Sequence, residues 1–369
     1  MNDIKLSRVI DSMRLPLIFL VVIAHLVPFS LPPVKFSHHT NDIYILISEL
    51  FSHHLARLSV RCYFLVSGFY FFNRYSGDIK SFFQKQLKSR FKSLVIPFII
   101  WNGMMVLAVL VKHHVFMKLN LGPDEGYFFL KELNLYQIFW YYPINFPLWF
   151  VRDLICMILL TPLVYFFIKY FKHYGIIGLG ILYLTIKEPF VPGISLTSVF
   201  FFSLGAYFAI ENKDLLKVFD KLKYPALILM LLFLFISLGH NGQDIQEYYL
   251  RVFIICGVVS IFNLFNLLDN RYTFLEKLTG FSSLSFFIYV VHEIYIINWV
   301  KGFFFSRSLF DDGWGRLFAY FVIPLFCMAI CTLIYYALMR IMPKYLVFSL
   351  GGRVPNFKTA EHQLKMKSK

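Results

Sequence analysis

Long apolar stretches alternate with short basic connections along almost the whole chain. Several stretches approach or exceed the roughly 18 residues that a helix needs to cross the hydrocarbon core of a bilayer. The pattern predicts an all-α integral membrane protein with about ten transmembrane helices. The predicted spans are residues 9–30, 55–73, 93–112, 147–168, 175–188, 194–211, 224–241, 247–268, 280–300 and 316–339.

Composition agrees with a membrane protein. Of 369 residues, 58% are hydrophobic and only 15% are charged, which is too few to solvate the surface of a water-soluble fold of this length. The first apolar run contains Arg14 and lacks a small-residue cleavage site, so we predict a retained span rather than a signal peptide. The five cysteines lie in apolar segments without disulfide or zinc spacing.

The basic residues predict the orientation of the chain. Of 36 lysines and arginines, 23 lie in one set of connections, 8 lie in the opposite set, and the rest lie within spans. This asymmetry predicts that both termini are cytoplasmic in a multi-pass protein of the cell (inner) membrane. The net charge of +15 then reflects orientation and attraction to the lipid bilayer, and we expect no nucleic-acid partner. We predict a membrane domain over residues 1–345 and a basic cytoplasmic tail over 346–369.

Charged side chains inside the hydrocarbon are costly unless they pair or face a wet cavity, so each is a functional candidate. The first span has Arg14 near one end and His25 near the other. Eleven residues make almost three helical turns, so both side chains share one face, about 16 Å apart. Asp11 lies one turn before Arg14 on approximately the same face.

Other spans bring polar side chains to the expected depth of His25. They are Arg57, Arg61, Arg152, Asp153, Arg251, Tyr289, His292 and Glu293. Together they predict an outward-facing polar pocket. The structural alternatives are that Arg57 and Arg251 extend to the interface, that His25 is a hydrogen-bonded packing residue, and that Asp153 forms a packing clamp with Arg152.

Five segments, in their order along the chain, resemble the acyltransferase-3 family of integral membrane acyltransferases. They are "IDSMRLPLIFLVVIAH", "YFLVSGFYF", "FFQKQLKSRFKSLVIPFIIW", "PLWFVRDL" and "SFFIYVVHE". The resemblance covers nearly the whole chain. One departure concerns the family's Arg-x-x-Arg before the proline of the third span, because here Arg90 is followed at that spacing by Ser93. The hydrolase-like extracellular domain of some members has no counterpart.

The resemblance implies transfer of an acyl group, acetyl in our prediction, from cytoplasmic acyl-CoA to a saccharide hydroxyl at the outer face. Acyl-CoA is then a co-substrate, and no cofactor is permanently bound. Basic residues would hold the phosphates of CoA, with Arg14 at the mouth of a channel and Ser67-Gly68 allowing close helix approach along it. The predicted donor-binding residues are Arg14, Ser67, Lys85, Lys88, Arg90 and Lys92.

In this interpretation His25 is the general base that removes the proton of the acceptor hydroxyl, or is itself transiently acylated. Glu293 or Asp153 would orient its ring, and Arg61 or Arg152 would stabilise the oxyanion. The predicted catalytic set is His25, Arg14, Asp11, Glu293, Arg61 and Arg152. The predicted acceptor-binding set is Arg57, Trp149, Asp153, Tyr289 and His292.

Other functions remain open at this point. A saccharide or small-solute transporter could use the same pocket without releasing a thiol from CoA. We predict no metal site, because the histidine pairs at 38–39, 53–54 and 113–114 lie in loops or at span ends. The Arg-x10-His opening argues against the other large fold of membrane-bound O-acyltransferases. The sequence does not decide which glycan is the acceptor or whether the acyl group is acetyl or succinyl. It also does not decide whether the protein associates with polysaccharide-assembly proteins or with a second copy of itself.

Overall fold

The computed structural model describes residues 2–27, 32–73, 78–122, 125–271 and 282–353. These residues form helices, and the β-structure among them is one isolated bridge between Val191 and Ile194. The predicted all-α class is confirmed.

The helices differ from the predicted spans most between residues 147 and 188, where the chain bends at Leu160 and a single helix then covers the predicted break at 169–174. The first eight are α1 (Asn2–Ala24), α2 (Thr40–Ser48), α3 (Ala56–Phe72), α4 (Ile79–Arg90), α5 (Ile96–Lys118), α6 (Glu125–Glu132), α7 (Trp149–Leu159) and α8 (Thr161–Thr185). The next eight are α9 (Leu196–Ile210), α10 (Leu215–Lys221), α11 (Lys223–Gly239), α12 (Gln246–Arg271), α13 (Ser282–Val291), α14 (Ile297–Phe305), α15 (Gly313–Ile341) and α16 (Pro343–Ser349). Short π-helical turns join α2 to α3 and α4 to α5, and another, His292–Ile296, joins α13 to α14.

Several helices are long and apolar enough to cross a membrane. Within the described ranges these are the five helical segments Thr40–Phe72, Ile79–Lys118, Gln246–Asp269, Ser283–Phe305 and Gly313–Ile341. Two bent pairs, α7 with α8 and α10 with α11, raise the number to seven if each pair is one span. The chain is therefore a multi-pass membrane protein, while the count of ten spans and the cytoplasmic position of both ends stay predictions.

Helix α1 lies in the middle of the bundle. Val9, Met13, Ile18, Val22 and Ile23 are all almost completely buried. The helix packs against α3, α12, α13 and α15, so apolar residues are needed on more than one of its faces. Its central place explains how α1 lines the arginine cavity described below and also brings His25, the residue that follows it, next to Phe146 of the aromatic cavity.

Helices α3 and α9 approach each other at two glycines. A Cβ atom added at Gly68 would lie 2.0 Å from the Phe202 carbonyl oxygen, and one at Gly205 would lie 1.9 Å from the Leu65 carbonyl oxygen. Small residues allow helix backbones to pack this closely in membranes, where lipid provides no hydrophobic force between helices. The close approach expected at Ser67-Gly68 is therefore present, with α9 as the partner.

The predicted boundary between domain and tail falls inside α16. Leu346 and Leu350 are buried, and Trp101 Nε1 donates to the Ser349 carbonyl oxygen at 3.0 Å. The chain thus packs against the bundle up to Arg353. Residues 354–369 of the predicted tail lie outside the described residues.

Candidate active site

His25 and Glu293 form a close polar pair near the ends of two helices. His25 directly follows α1, and Glu293 lies in the π-helical turn between α13 and α14. His25 Nδ1 lies 2.9 Å from Glu293 Oε1, and the two side chains are 13% and 19% exposed. An ionised carboxylate can only accept, so this contact favours the tautomer with the proton on Nδ1. The other ring nitrogen, Nε2, then has a lone pair that can take a proton.

His292 is the second histidine of the site. Its ring lies 5.2 Å from that of His25, centroid to centroid, and is fully buried. Because a carbonyl only accepts, the 2.9 Å contact to the Ile288 carbonyl oxygen places the His292 proton on Nδ1. His292 Nε2 is buried and has no hydrogen-bond partner within the described residues.

A π-helical turn begins at the point where His292 and Glu293 both reach His25. Neighbouring residues of a regular α-helix point about 100° apart, so two in succession do not face one partner. Here the backbone is irregular: Ile294 has φ −74° and ψ 69°, and Tyr295 has a left-handed φ of 61°. Such strained conformations and π turns are concentrated at functional sites.

The same three residues could also hold a metal ion. One ligand atom each from His25, His292 and Glu293 lies within 4.8 Å of the others. Sequence reasoning missed this group because it considered adjacent histidine pairs. Those pairs lie elsewhere: His53 Nδ1 is 2.5 Å from Glu49 Oε2, and the His113 ring stacks on Tyr127.

A cavity of about 250 Å³, here named the arginine cavity, runs along α1. On this helix its lining extends from Ile10 to Val21, which is about 16 Å of helix. Val21 is one helical turn before His25. The cavity is also lined by Ser67 and by three arginines, Arg14, Arg90 and Arg353. Most of the other lining residues are apolar.

The predicted donor-binding residues divide into two groups. Arg14 and Arg90 line the arginine cavity, and Asp11 pairs with Arg14 through Oδ1 and Nε at 3.1 Å. Lys85, Lys88 and Lys92 are instead exposed on the surface of α4 and the turn that follows it, and they are not part of the lining.

Sequence reasoning missed Arg353, which it assigned to the tail. Arg353 Nη1 donates to the carbonyl oxygen of Ser93, the position at which the family pattern has its second arginine. The available signal was Gly351-Gly352 directly after an apolar helix, a sequence typical of a tight turn that folds the chain back.

A second cavity, of about 330 Å³, is lined by aromatic and charged side chains and is here named the aromatic cavity. Its aromatic residues include Tyr142, Phe146, Trp149 and Phe190. The Phe146 ring also meets the His25 ring edge-on, with 5.7 Å between centroids. Phe146 therefore connects this cavity to the His25–Glu293 pair.

Helix α7 separates the two cavities. Phe150, Val151 and Leu154 line the arginine cavity, whereas Trp149, Arg152 and Asp153 line the aromatic cavity. Tyr289, predicted to bind the acceptor, lines the arginine cavity instead, and its hydroxyl donates to the Pro147 carbonyl oxygen.

Arg152 and Asp153 form a closed unit. Arg152 Nε and Nη2 donate to Asp153 Oδ1 at 3.0 and 2.8 Å, and Nη1 donates to the carbonyl oxygens of Trp140 and Tyr141. This geometry matches the packing clamp rather than an oxyanion-stabilising role for Arg152. Arg61, the other predicted cation, lines the same cavity, and its buried Nε has no hydrogen-bond partner in the described part of the chain.

Arg57 and Arg251 line a third cavity, of about 540 Å³, apart from Trp149 and Asp153. Arg57 Nη1 donates to Glu247 Oε2 at 2.9 Å. Arg251 Nη1 donates to two carbonyl oxygens, those of Tyr183 and Ile186. Both arginines are therefore held by protein groups. Arg57 lines a different cavity from Trp149 and Asp153, so the structure does not bring these three predicted acceptor-binding residues together.

Comparison with known proteins identifies the class. Residues 8–344 match the acyltransferase domain of the acyltransferase-3 family, and the chain belongs to that family. The resemblance found in the sequence motifs is confirmed, and the protein is a membrane-bound acyltransferase. It is similar to the succinoglycan biosynthesis protein ExoH of Rhizobium meliloti (strain 1021), with 26% identity over 361 residues, 95% of this chain and 94% of the relative. No solved structure matches the chain significantly.

Proposed function

We propose that the protein transfers an acyl group from acyl-CoA to a hydroxyl of a cell-surface or lipid-linked saccharide, with His25 as general base. One observation carries the proposal. The His25–Glu293 pair lies next to both cavities: Val21, the last α1 residue that lines the arginine cavity, is one helical turn before His25, and Phe146 of the aromatic cavity meets the His25 ring edge-on at 5.7 Å. A group-transfer enzyme needs this arrangement, because donor and acceptor must meet at one base.

The arginine cavity suits the donor. Acyl-CoA carries its phosphates at one end and its thioester at the end of the long pantetheine arm. Arginine binds phosphate in a bidentate manner, and Arg14 and Arg90 both line the cavity. The apolar lining beyond Arg14 would then take the arm, whose length is comparable to the roughly 16 Å along the chain axis between Arg14 and His25. The thioester would reach the level of His25.

The aromatic cavity suits the acceptor. Apolar faces of sugar rings pack on aromatic side chains, while their hydroxyls bind charged and polar groups. Trp149 and Phe146 provide such surfaces beside the carboxylate of Glu188. The name of the relative ExoH refers to succinoglycan biosynthesis, and it supports a polysaccharide as the acceptor class.

The chemistry follows from the pair. His25 Nε2 removes the proton of the acceptor hydroxyl while its oxygen attacks the thioester carbonyl carbon. The carbon–sulfur bond breaks, and the proton passes from His25 to the leaving CoA thiolate. Glu293 keeps the Nδ1 proton in place and stabilises the imidazolium that forms. Arg61 Nε is the candidate donor to the oxyanion. If a His25 residue carrying the acyl group were isolated, the mechanism would be a covalent one through acyl-His25 rather than direct transfer.

A reconstituted assay tests the function. Purified protein in liposomes receives acetyl-CoA or succinyl-CoA with a saccharide acceptor, and free thiol and acylated saccharide are measured. We expect stoichiometric formation of both products and a preference that identifies the acyl group. Saccharide movement without thiol release would show a transporter instead.

We further propose that the donor enters from the cytoplasm at the cell (inner) membrane. The asymmetry of lysines and arginines supports cytoplasmic termini. A reporter enzyme that works only in the cytoplasm should therefore be active when it is fused after Lys369. Activity of a reporter that works only outside the cytoplasm would place the C-terminus on the outer side, and would reverse which side of the membrane each cavity faces.

A further inference from the structure

Three arginines from distant parts of the sequence lie near one another in the lining of the arginine cavity. Arg14 belongs to α1, Arg90 is the last residue of α4, and Arg353 follows α16. The residues that line this cavity include no carboxylate. Asp11 pairs with Arg14, and neither Arg90 nor Arg353 takes part in an ion pair within the described residues. The cluster therefore has an excess of positive charge.

Arg353 is fixed in place while part of its guanidinium remains available. Nη1 donates to the carbonyl oxygens of Ser93 at 3.0 Å and Leu350 at 2.7 Å. The guanidinium lies over the Phe286 ring, 3.9 Å from its centroid. Both hydrogen bonds that it makes with the described residues come from Nη1, so Nε and Nη2 can donate to a ligand.

The backbone before Arg353 is built for this position. Gly351 and Gly352 have left-handed φ angles of 70° and 83°. A Cβ atom at Gly351 would lie 2.6 Å from Ser93 Cα, so the turn requires glycine to pack against the π-helical turn between α4 and α5. The turn directs the next side chain back into the bundle.

The electrostatics favour an anion. Burial, together with the positive charges of Arg14 and Arg90, lowers the pKa of Arg353 to about 10, so it stays charged at neutral pH. Arg90 Nε is buried without a hydrogen-bond partner within the described residues. Unpaired buried cations are unfavourable unless a ligand compensates them.

We propose that Arg353 binds a phosphate group of CoA together with Arg14 and Arg90, as the third cation of the donor site. This inference rests on the proposed acyl-CoA donor. The inference makes the turn at Gly351-Gly352, together with Arg353, part of the donor site.

The test compares two donors that differ in their phosphates. Thiol release from acetyl-CoA and from acetyl-pantetheine, which has no phosphate, is measured as kcat/KM for wild type, Arg353→Gln and Lys344→Gln. Lys344 is an exposed cation on α16 and is the matched control. Loss of charge-assisted phosphate contacts should lower kcat/KM for acetyl-CoA about 10- to 100-fold in Arg353→Gln. The value for acetyl-pantetheine, and both values in Lys344→Gln, should stay within about twofold of wild type.

The outcomes separate this inference from the proposed function. An equal loss with both donors would show that Arg353 only supports the fold, and an unchanged kcat/KM for acetyl-CoA would remove it from the site; both overturn the inference and leave the acyl-CoA donor standing. A wild-type protein that does not use acetyl-CoA would overturn the proposed function itself. If Arg353→Gln does not fold, Arg353→Lys keeps the charge but loses the bidentate geometry, and it should lower kcat/KM for acetyl-CoA more than for acetyl-pantetheine. Equal effects on the two donors in Arg353→Lys would overturn the inference.

Discussion

His25 Nδ1 lies 2.9 Å from Glu293 Oε1, so the residue that follows the first helix is held by the break in the helix pair α13–α14. The contact orients a histidine whose other nitrogen is free to act as a base. It also leaves Asp153, the other carboxylate considered from the sequence, in its own pair with Arg152. The predictions below test what this arrangement implies.

His25→Ala should abolish acyl transfer, while expression of the folded protein and acyl-CoA binding stay nearly normal. Loss of a general base typically costs about 10² to 10⁴ in rate. His54 is the matched control, because it is fully buried and bonded through Nε2 to Ser237 Oγ at 3.0 Å. His54→Ala should instead destabilise the fold by about 1–3 kcal/mol, since it leaves a buried hydroxyl unpaired. Rates and thermal unfolding are measured for both variants, and a His25→Ala enzyme at the wild-type rate would refute the assignment.

Glu293→Gln should lower kcat by at least about 10²-fold with little change in donor binding. An amide nitrogen placed against His25 Nδ1 favours the tautomer that has its proton on Nε2, which cannot act as a base. Steady-state kinetics at saturating donor measure this effect. Asp244→Asn, a change on the wall of the third cavity, is the control and should leave kcat within about twofold of wild type. Equal rates for Glu293→Gln and wild type would exclude Glu293 as the orienting group.

Arg14→Gln and Arg90→Gln should each raise the KM for acetyl-CoA about 10-fold or more, because each removes a charged contact to phosphate. Lys88→Gln with Lys92→Gln should have a much smaller effect, since both lysines are exposed and outside the cavity lining. Donor titrations with the purified variants provide the comparison. A larger effect of the two lysines would move the phosphate site to the surface of α4.

Gly68→Ala should destabilise the protein by about 1–3 kcal/mol or more, because the added methyl group has no space next to the Phe202 carbonyl oxygen. Gly178 in α8 provides the control, as a Cβ there would contact nothing within 4 Å. Gly178→Ala should leave stability unchanged or slightly higher, because alanine favours a helix. Thermal unfolding in detergent is the measurement, and a fully stable Gly68→Ala protein would show that α3 and α9 can separate.

Chelation should leave the activity unchanged. The contact between His25 and Glu293 is a hydrogen bond in the structure, and the proposed acid–base chemistry needs no ion between them. The rate after treatment with a strong zinc chelator is compared with that of untreated enzyme. Inactivation that added Zn²⁺ reverses would instead assign the His25, His292 and Glu293 group to a metal.

The sequence was sufficient to predict those features that depend on the pattern of residues within one segment of the chain. The apolar runs predicted the all-α membrane class, and the Arg14–His25 spacing predicted a channel along the first helix, where the arginine cavity runs from Ile10 past Arg14 to Val21, one helical turn before His25. These features follow from helix geometry and from the cost of charge in lipid, which act within one segment.

The pairings between segments could not be derived in the same way. The contact of His25 with Glu293, rather than with Asp153, lies at a π-helical turn that no residue pattern marks. The position of Arg353 depends on a turn that brings it to Ser93, 260 residues earlier in the sequence. Periodicity describes one helix at a time, so it does not determine which carboxylate or cation is nearest in space.

The π-helical turn at His292–Ile296 also affects how this helix pair can vary. A π turn holds one residue more than the α-helical turn it replaces, so deleting a single residue there would restore regular hydrogen bonding. Everything beyond the deletion would then rotate by about 100° relative to α13. A deletion among the irregular residues Ile294 and Tyr295 would therefore turn α14 away from its packing against α15, so length at this position is constrained independently of residue identity.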